Sequence, residues 1–332
     1  MLEALLPWQE VMLVNLLKAH ESRPMHAQLW VTPVAYGASR LAQRWLLARM
    51  CTAASALRPC GLCDDCRWVL AQTHPDVFWL APLEAQGQIR IDAVRELRSF
   101  VDRTSARHGW RAVIVEQAHR LNEHAANALL KSLEEPGSQT LFVLLTDRLV
   151  DIMPTIRSRC GIWHLPAPDR VDALRWLRGR VDCSEQQLNQ AMAYARSMPE
   201  QAELVLVKNW LPMFEGLWSG IRQLTQKRTH ASIVVSGCKE IWQERLLTDA
   251  LMQWVEDLIR THSVLDSPEP ESFLHHPELY RDYTELVVRQ PRAVERIWEI
   301  WHRLVRVRDE LDGNIQPALC YERILTDFTA LF

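Results

Sequence analysis

Lysine is nearly missing from this chain: five of its 38 basic residues are lysine, and none lies between Lys18 and Lys131. A nucleotide site in that interval would lack the lysine that usually reaches the β and γ phosphates. Glycine is scarce as well, 11 in 332 residues, which excludes a fibrous or glycine-rich protein. Positive charge is not in excess: 38 Lys and Arg stand against 41 Asp and Glu, a formal net charge of -3. That balance argues against a uniformly basic nucleic-acid coat and leaves room only for a local arginine patch. No apolar run reaches the length of a membrane span, since Lys18, Arg23 and His26 break the nearest candidate. The first residues carry Glu3 and Glu10 and no early basic cluster, a poor secretory signal. The expected location is the cytoplasm, with no membrane partner. What is present is ordinary globular material, 48% hydrophobic and 24% charged, at a length that suggests two or three domains.

The first half alternates strand and helix signals. Residues 27–31 (AQLWV), 76–80 (DVFWL), 112–115 (AVIV), 141–145 (LFVLL) and 162–165 (IWHL) are short apolar runs flanked by polar or turn residues. Such runs suit strands buried on both faces of a parallel sheet. Between them, Ile91, Val94, Leu97 and Val101 recur at helical spacing with Asp92 placed as an N-cap. Leu121, Ala125, Leu129 and Leu133 do the same, and Pro136-Gly137 stops that helix. The alternation predicts a doubly wound α/β domain over 1–166. After Pro166-Ala-Pro168 the strand signals fade. Residues 167–208 read as a small helical domain and 209–332 as a larger helical one, with a proline-bearing loop over 263–277. Over 292–311, Val294, Ile297, Trp301, Leu304 and Val307 are spaced for a buried helix face, and Trp298 joins Trp301 on that apolar stripe. The fold class is therefore α/β plus all-α.

Four of the eight cysteines fall within sixteen residues: Cys51, then Cys60-Gly-Leu-Cys63-Asp-Asp-Cys66. Tetrahedral zinc needs four soft ligands converging on one point. A Cys-x-x-Cys turn places two thiolates on one side of the ion, and Gly61 eases that turn. Two overlapping turns supply three ligands and Cys51 the fourth. Four cysteines close the site, so the zinc would be structural, because catalysis needs an open position for water. The other readings are reduced thiols, an iron–sulfur cluster lacking the usual Cys-Pro ending, or a redox pair at Cys60 and Cys63 that leaves Cys66 unexplained. His74, before Pro75, reads as a turn-packing residue rather than a ligand.

The position of a phosphate loop is present without its chemistry. After the strand at 27–31 comes Thr32-Pro-Val-Ala-Tyr-Gly-Ala-Ser-Arg40, leading into a helix near Ser39. A working loop reads G-x-x-x-x-G-K-[ST]; here Gly37 stands alone, and Arg40 lies beyond the usual lysine position. The strand at 112–115 ends in Glu116-Gln117, where an ATPase carries an Asp for Mg²⁺ and a catalytic Glu. Glu116 could touch a metal, but Gln117 cannot act as a base. Two motifs degenerate at matching places, which predicts that this chain binds no ATP. A third signal is Thr155-Ile-Arg-Ser-Arg-Cys160, two arginines ahead of a buried strand. Arginine's fixed fork of donors matches phosphate oxygens, though a solvated pair at a helix end is the plainer reading of the local sequence.

Together these features resemble the delta-prime subunits of bacterial DNA polymerase III clamp loaders, within the AAA+ clamp-loader family. The residues that carry the resemblance are Cys51…Cys60-x-x-Cys63-x-x-Cys66, Thr73-His-Pro-Asp76, Ile91-Asp-Ala-Val-Arg-Glu-Leu97, Asn127-Ala-Leu-Leu-Lys-Ser-Leu-Glu-Glu-Pro136 and Ile156-Arg-Ser-Arg-Cys160. They cover roughly residues 25–166 closely and the rest only in layout. The resemblance implies an AAA+ module of P-loop-type α/β domain and small helical lid, followed by a helical collar. It implies gamma/tau and delta subunits as partners, with the sliding clamp and primed DNA reached through the complex. It also implies that Arg159, with Ser158 beside it, acts in trans on a neighbouring subunit's ATP site, and that Arg157 is structural. Thr146 matches the family's sensor position. Residues 37–40 and Glu116-Gln117 depart from the ATP-binding gamma/tau pattern, and Ser197-Met-Pro-Glu-Gln-Ala202 lacks the lid arginine. The alternatives are a divergent ATP-hydrolysing subunit of gamma/tau type and a stand-alone zinc-containing DNA-binding protein. Trp301-His-Arg-Leu-Val-Arg-Val-Arg308 reads as a solvated face.

Overall fold

Five apolar segments form the strands of one parallel sheet: β1 (Ala27–Val31), β2 (Val77–Leu80), β3 (Arg111–Val115), β4 (Thr140–Thr146) and β5 (Gly161–His164). They lie in the order β2-β3-β4-β1-β5. In register, Leu29 of β1 sits between Leu144 of β4 and Ile162 of β5. β3 and β4 are buried along their whole length, as continuous Val, Ile and Leu runs in a sheet covered on both faces require. β5 is an edge strand and alternates between half-buried and exposed. The computed structural model describes residues 4–22, 25–33, 36–54, 58–83, 87–107, 109–136, 139–226, 228–243, 246–265, 267–288, 293–311 and 316–329.

The chain divides between Ala167 and Pro168 into two units. In the first, α1 (Pro7–Ser22), α2 (Ala38–Met50), α3 (Asp64–Leu70), α4 (Ile91–Val101), α5 (Glu123–Glu134) and the short α6 (Pro154–Arg157) accompany the sheet. Val94, Leu97 and Val101 of α4 and Ala125, Leu129 and Leu133 of α5 pack with Leu29, Val113, Phe142 and Leu144 in one core cluster. Two helix starts differ from the sequence reading. Arg90, not Asp92, holds the N-cap position of α4; Asp92 lies inside the first turn, where it meets the positive end of the helix dipole and pairs with Arg95 at 2.9 Å. Leu121 precedes α5, because Asn122 caps the helix by accepting the Ala125 N–H at 2.8 Å. Of the Pro136-Gly137 stop, Gly137 lies outside the described residues.

The second unit is helical: α7 (Arg170–Arg178), α8 (Glu185–Tyr194), α9 (Pro199–Val207), α10 (Leu211–Thr225), α11 (Ala231–Ser236), α12 (Lys239–Gln243), α13 (Leu246–Val264), α14 (Tyr280–Val288), α15 (Ala293–Glu310) and α16 (Pro317–Thr329). Ser184 opens α8 with a full capping box. Ala191, Phe214, Trp254, Ile297, Leu304 and Tyr321 belong to one continuous core. Trp301 is half-buried against it, whereas Trp298 is 45% exposed, since Ile297 and Ile300 take the inward face of α15 on either side of it. The side chains of Val294 and Arg308 and the whole of Arg292 lie outside the described residues. Among the described residues no helix is long and apolar enough to cross a membrane.

Candidate functional site

The four clustered cysteines converge. Cys51 ends α2, Cys60 and Cys63 flank the turn at Gly61, whose φ is +70°, and Cys66 lies in the first turn of α3. Their Sγ atoms all lie within 4.8 Å of one another, with Cys60–Cys66 and Cys51–Cys63 at 4.0 Å. A tetrahedron of sulfurs about 2.3 Å from zinc has edges of about 3.8 Å, so the donor set fits that ion. Backbone amides already point at the sulfurs: Leu62 N–H and Cys63 N–H reach Cys60 Sγ at 3.4 and 3.3 Å, and Cys60 N–H reaches Cys51 Sγ at 3.4 Å. Against the cost of burial, N–H donors from Thr52 and Cys66 bring the Cys63 thiol down to about 6. Donors from Cys63 and Leu62 lower Cys60, while burial pushes Cys66 up. The remaining cysteines behave as packed thiols: burial raises Cys160 to about 12 and Cys238 to about 11.

A buried polar network ties α3 to the sheet. The Asp65 carboxylate meets His74 Nε2 at 3.2 Å and accepts from Arg107 Nε at 2.7 Å. His74 Nδ1 accepts the Asp76 N–H at 3.0 Å, which leaves Nε2 as the protonated nitrogen that donates to Asp65. Asp76, at the entry to β2, accepts from the backbone N–H groups of Ala106 and Arg107 at 2.6 and 2.8 Å. Arg107 also lies over the Trp68 ring, 4.8 Å from its centroid. His74 thus packs a turn, as its place before Pro75 suggested. The Thr73-His-Pro-Asp76 motif joins the cysteine insert to the α/β unit, a role its sequence does not disclose. Asp65→Ala, which strands a buried N–H and a guanidinium, is expected to lower stability by about 3 kcal/mol in urea unfolding. A loss below about 1 kcal/mol, the range of surface pairs, would remove the network from any part in stability.

The crevice at the carboxyl ends of β1, β3 and β4 is where open α/β sheets bind ligands. Here Gly37, with φ +72°, holds the N-cap position of α2. The Tyr36 and Gly37 carbonyls accept from Gln9 Nε2 at 2.6 and 3.4 Å, while Gln9 Oε1 accepts the Leu6 N–H at 3.1 Å. Gln9 is fully buried, and burial raises the Tyr36 hydroxyl to about 12. Two carbonyls of the loop are thus bound by a side chain of α1. Arg40 is half-buried in the first turn of α2. Val34 and Ala35 lie outside the described residues. Beyond β3, Glu116 is half-buried, and Gln117 adopts φ +47° with its Oε1 accepting from Arg120 Nε at 2.5 Å. Thr146 Oγ1, at the end of β4, accepts the Arg148 N–H at 3.0 Å and lies 3.2 Å from His119 Nδ1, so it caps its strand. Burial lowers the pKa of His119, against the pull of the Asp147 carboxylate 3.2 Å from its Nδ1.

Ser158 and Arg159 stand on the connection between α6 and β5, both exposed. The Ser158 hydroxyl donates to Thr155 O at 3.0 Å. Arg159 Nη1 donates to Thr155 O at 3.0 Å and to Ser158 Oγ at 3.4 Å, and Nη2 donates to the Glu134 carboxylate. Cys160 packs against the core cluster and anchors this connection.

A family model described as DNA polymerase III, delta subunit, matches residues 9–169. The DNA polymerase III subunit delta' of Pseudomonas aeruginosa is 32% identical over 329 residues, 98% of this chain and 97% of that protein. The chain belongs to the DNA polymerase III delta' family. The delta' subunit of Escherichia coli K12 is 32% identical over 61% of this chain and 62% of its own length. A gamma subunit-related protein of DNA polymerase III from Thermotoga maritima superposes over 96% of this chain and 98% of its own, with a TM-score of 0.50 at 16% identity. That likeness concerns fold alone. In this delta' family member the sheet brings the residues at 37–40, Glu116-Gln117 and Thr146 to one crevice. It leaves the cysteine cluster and Arg159 outside that crevice as separate features. Gln9 and Glu134 were missed in the sequence. Gln9 carries no motif, and Glu134 sat unread inside Asn127-…-Pro136.

Proposed function

We propose that this chain is the delta' component of a DNA polymerase III clamp loader, one that binds no ATP and is not catalytic by itself. It would help load the sliding clamp onto primed DNA in the cytoplasm, assembled with gamma/tau and delta subunits. Residues 1–166 would serve as the AAA+ α/β domain with a zinc insert at 51–66, 167–208 as the lid and 209–332 as the collar. Arg159, with Ser158 shaping its connection, would enter the ATP site of a neighbouring gamma/tau subunit. The observation that carries this reading is an asymmetry within one unit. The loop after β1 is engaged by the chain's own Gln9, while the arginine before β5 stands exposed. An exposed arginine has donors that suit a phosphate on a neighbouring chain, while two carbonyls of this chain's own loop are bound by its Gln9.

The test is calorimetric titration of the isolated chain with Mg-ATP, alongside assembly with gamma/tau and delta subunits. No heat of ATP binding is expected, together with stable assembly. A measurable Kd for Mg-ATP, lost in Arg40→Ala, would make the chain a divergent ATPase instead. A third reading, a stand-alone DNA-binding protein, calls for steeply salt-dependent DNA affinity that Cys63→Ser abolishes.

A further inference from the structure

Glu134 is the last residue of α5, and Glu135 follows it as the C-cap. Two carboxylates at a helix C-terminus face the negative end of the helix dipole, an arrangement that is unfavourable unless a cation lies close by. Lys131 is the basic residue of the last turn, but the ion pair formed by Glu134 is with Arg159, 25 residues further along the chain. The side chains are 36% exposed for Arg159 and 48% for Glu134, so water and a competing anion both have access to the pair.

The three contacts of the guanidinium divide the work. Nη1 is held by Thr155 O and Ser158 Oγ, both on its own turn. Because the guanidinium is planar, a further contact at Nη2 is what fixes the rotation of the whole group about its Nη1 anchor. Glu134 is contributed by a different helix and fixes Nη2. α5 is in turn fixed by the core through Ala125, Leu129 and Leu133, so the carboxylate springs from a fixed helix end.

We infer that Glu134 is the positioning residue for Arg159: the acidic end of α5 orients the guanidinium before a neighbouring phosphate meets it. This rests on the trans-arginine reading above and adds to it. An arginine ordered in advance loses less freedom when it engages developing charge on a transferring phosphoryl group, so the benefit falls on turnover. The ion pair is exposed and therefore weak, which lets the phosphate share or displace the carboxylate without a large penalty. The same reasoning gives Glu134, within Asn127-…-Pro136, a task that α5's packing does not require.

The test uses the loader reconstituted with gamma/tau and delta subunits, sliding clamp and primed DNA, in which this chain alone carries Glu134→Ala, Glu134→Gln, Arg159→Ala or Glu134→Ala with Arg159→Ala. Glu134→Ala is expected to lower kcat about fivefold, the factor an exposed ion pair can supply, with the KM for ATP unchanged. Glu134→Gln keeps an oxygen acceptor without the charge and should fall between Glu134→Ala and wild type. On the Arg159→Ala background the Glu134 change should do nothing further. Unchanged or faster turnover in Glu134→Ala would overturn the inference. So would an additive loss in the double variant, or a loss cured by raising subunit concentration, which marks an assembly defect. If Arg159→Ala is damaging and Glu134→Ala is silent, only the positioning role fails. If Arg159→Ala is itself silent, the trans-arginine reading fails and takes the positioning role with it.

Discussion

Changing Arg159 to alanine in a reconstituted loader is expected to slow ATP hydrolysis at the neighbouring site by about 10³-fold, with assembly intact. The size of the effect follows from what the residue would do there. Phosphoryl transfer leaves little covalent work for protein groups, and an arginine supplied in trans acts by stabilising charge as it develops on the transferring phosphoryl group. Steady-state turnover of the whole loader falls by less if its other sites fire independently, so the measurement is single-turnover hydrolysis with clamp and primed DNA present. Arg159→Lys should fall between the two, because lysine keeps a charge but loses the planar fork that meets two oxygens at once. Folding is not at risk in either variant: the side chain is exposed and its contacts are to Thr155 O, Ser158 Oγ and Glu134. Wild-type rates from a fully assembled Arg159→Ala loader would reduce the chain to a structural partner.

The parts of the fold that were legible in the sequence are those set by short-range pattern. The run at 27–31 is a strand over just those residues, and the runs at 112–115 and 141–145 gained only one residue or two at their ends. Buried parallel strands are written as uninterrupted apolar segments, so their positions survive translation into structure. Helix starts were harder. Asp92 looks like an N-cap, yet the extended backbone that bridges Ile89 to Leu121 places Arg90 there, because a cap is decided by backbone conformation as well as by side-chain chemistry. Trp298 shows the same limit on α15: periodicity put it on an apolar stripe, but the angle of that stripe to the core is a tertiary matter.

The site was legible where one short segment carries it and opaque where distant segments meet. Cys60, Cys63 and Cys66 announce themselves by spacing, and Cys51 by elimination. Gln9 fills the loop after β1 from 27 residues away, and the sequence around it carries no motif. Asp65, His74, Asp76 and Arg107 form one network from a helix and two separate loops. No local pattern could join Asp65 to Arg107, since their contact depends on the sheet order that brings β2 beside β3. Buried polar groups of this kind are set by the requirement that each find a partner, which acts only once the chain is folded.

Metal analysis of the purified chain is expected to find one zinc ion, and none in Cys63→Ser. Removing the ion should unfold the insert and spare the sheet. The reason lies in how the two are built. The four sulfurs are drawn from the end of α2, the turn at Gly61 and the first turn of α3, and α3 has only seven residues. Closed cysteine sites in zinc-finger peptides hold the ion by about 10–16 kcal/mol at neutral pH, far more than so short a helix contributes by itself. Without zinc the sulfurs have only the weak N–H donors that now face them. The sheet has no such dependence. Val113, Val115, Phe142 and Leu144 are fully buried in a core to which the four cysteines do not contribute. Asp65 and His74 would still hold α3 to the entry of β2, so the damage should be greatest at 58–63 and smaller beyond Asp65. Hydrogen exchange on the chelated protein reads this directly: protection lost at Cys60 to Cys63, reduced in α3, and retained in β1, β3 and β4. Global loss of protection on chelation would mean that the insert supports the whole unit. Full protection at Cys60 to Cys63 without the metal would mean that the cysteines are packed thiols and bind no structural ion.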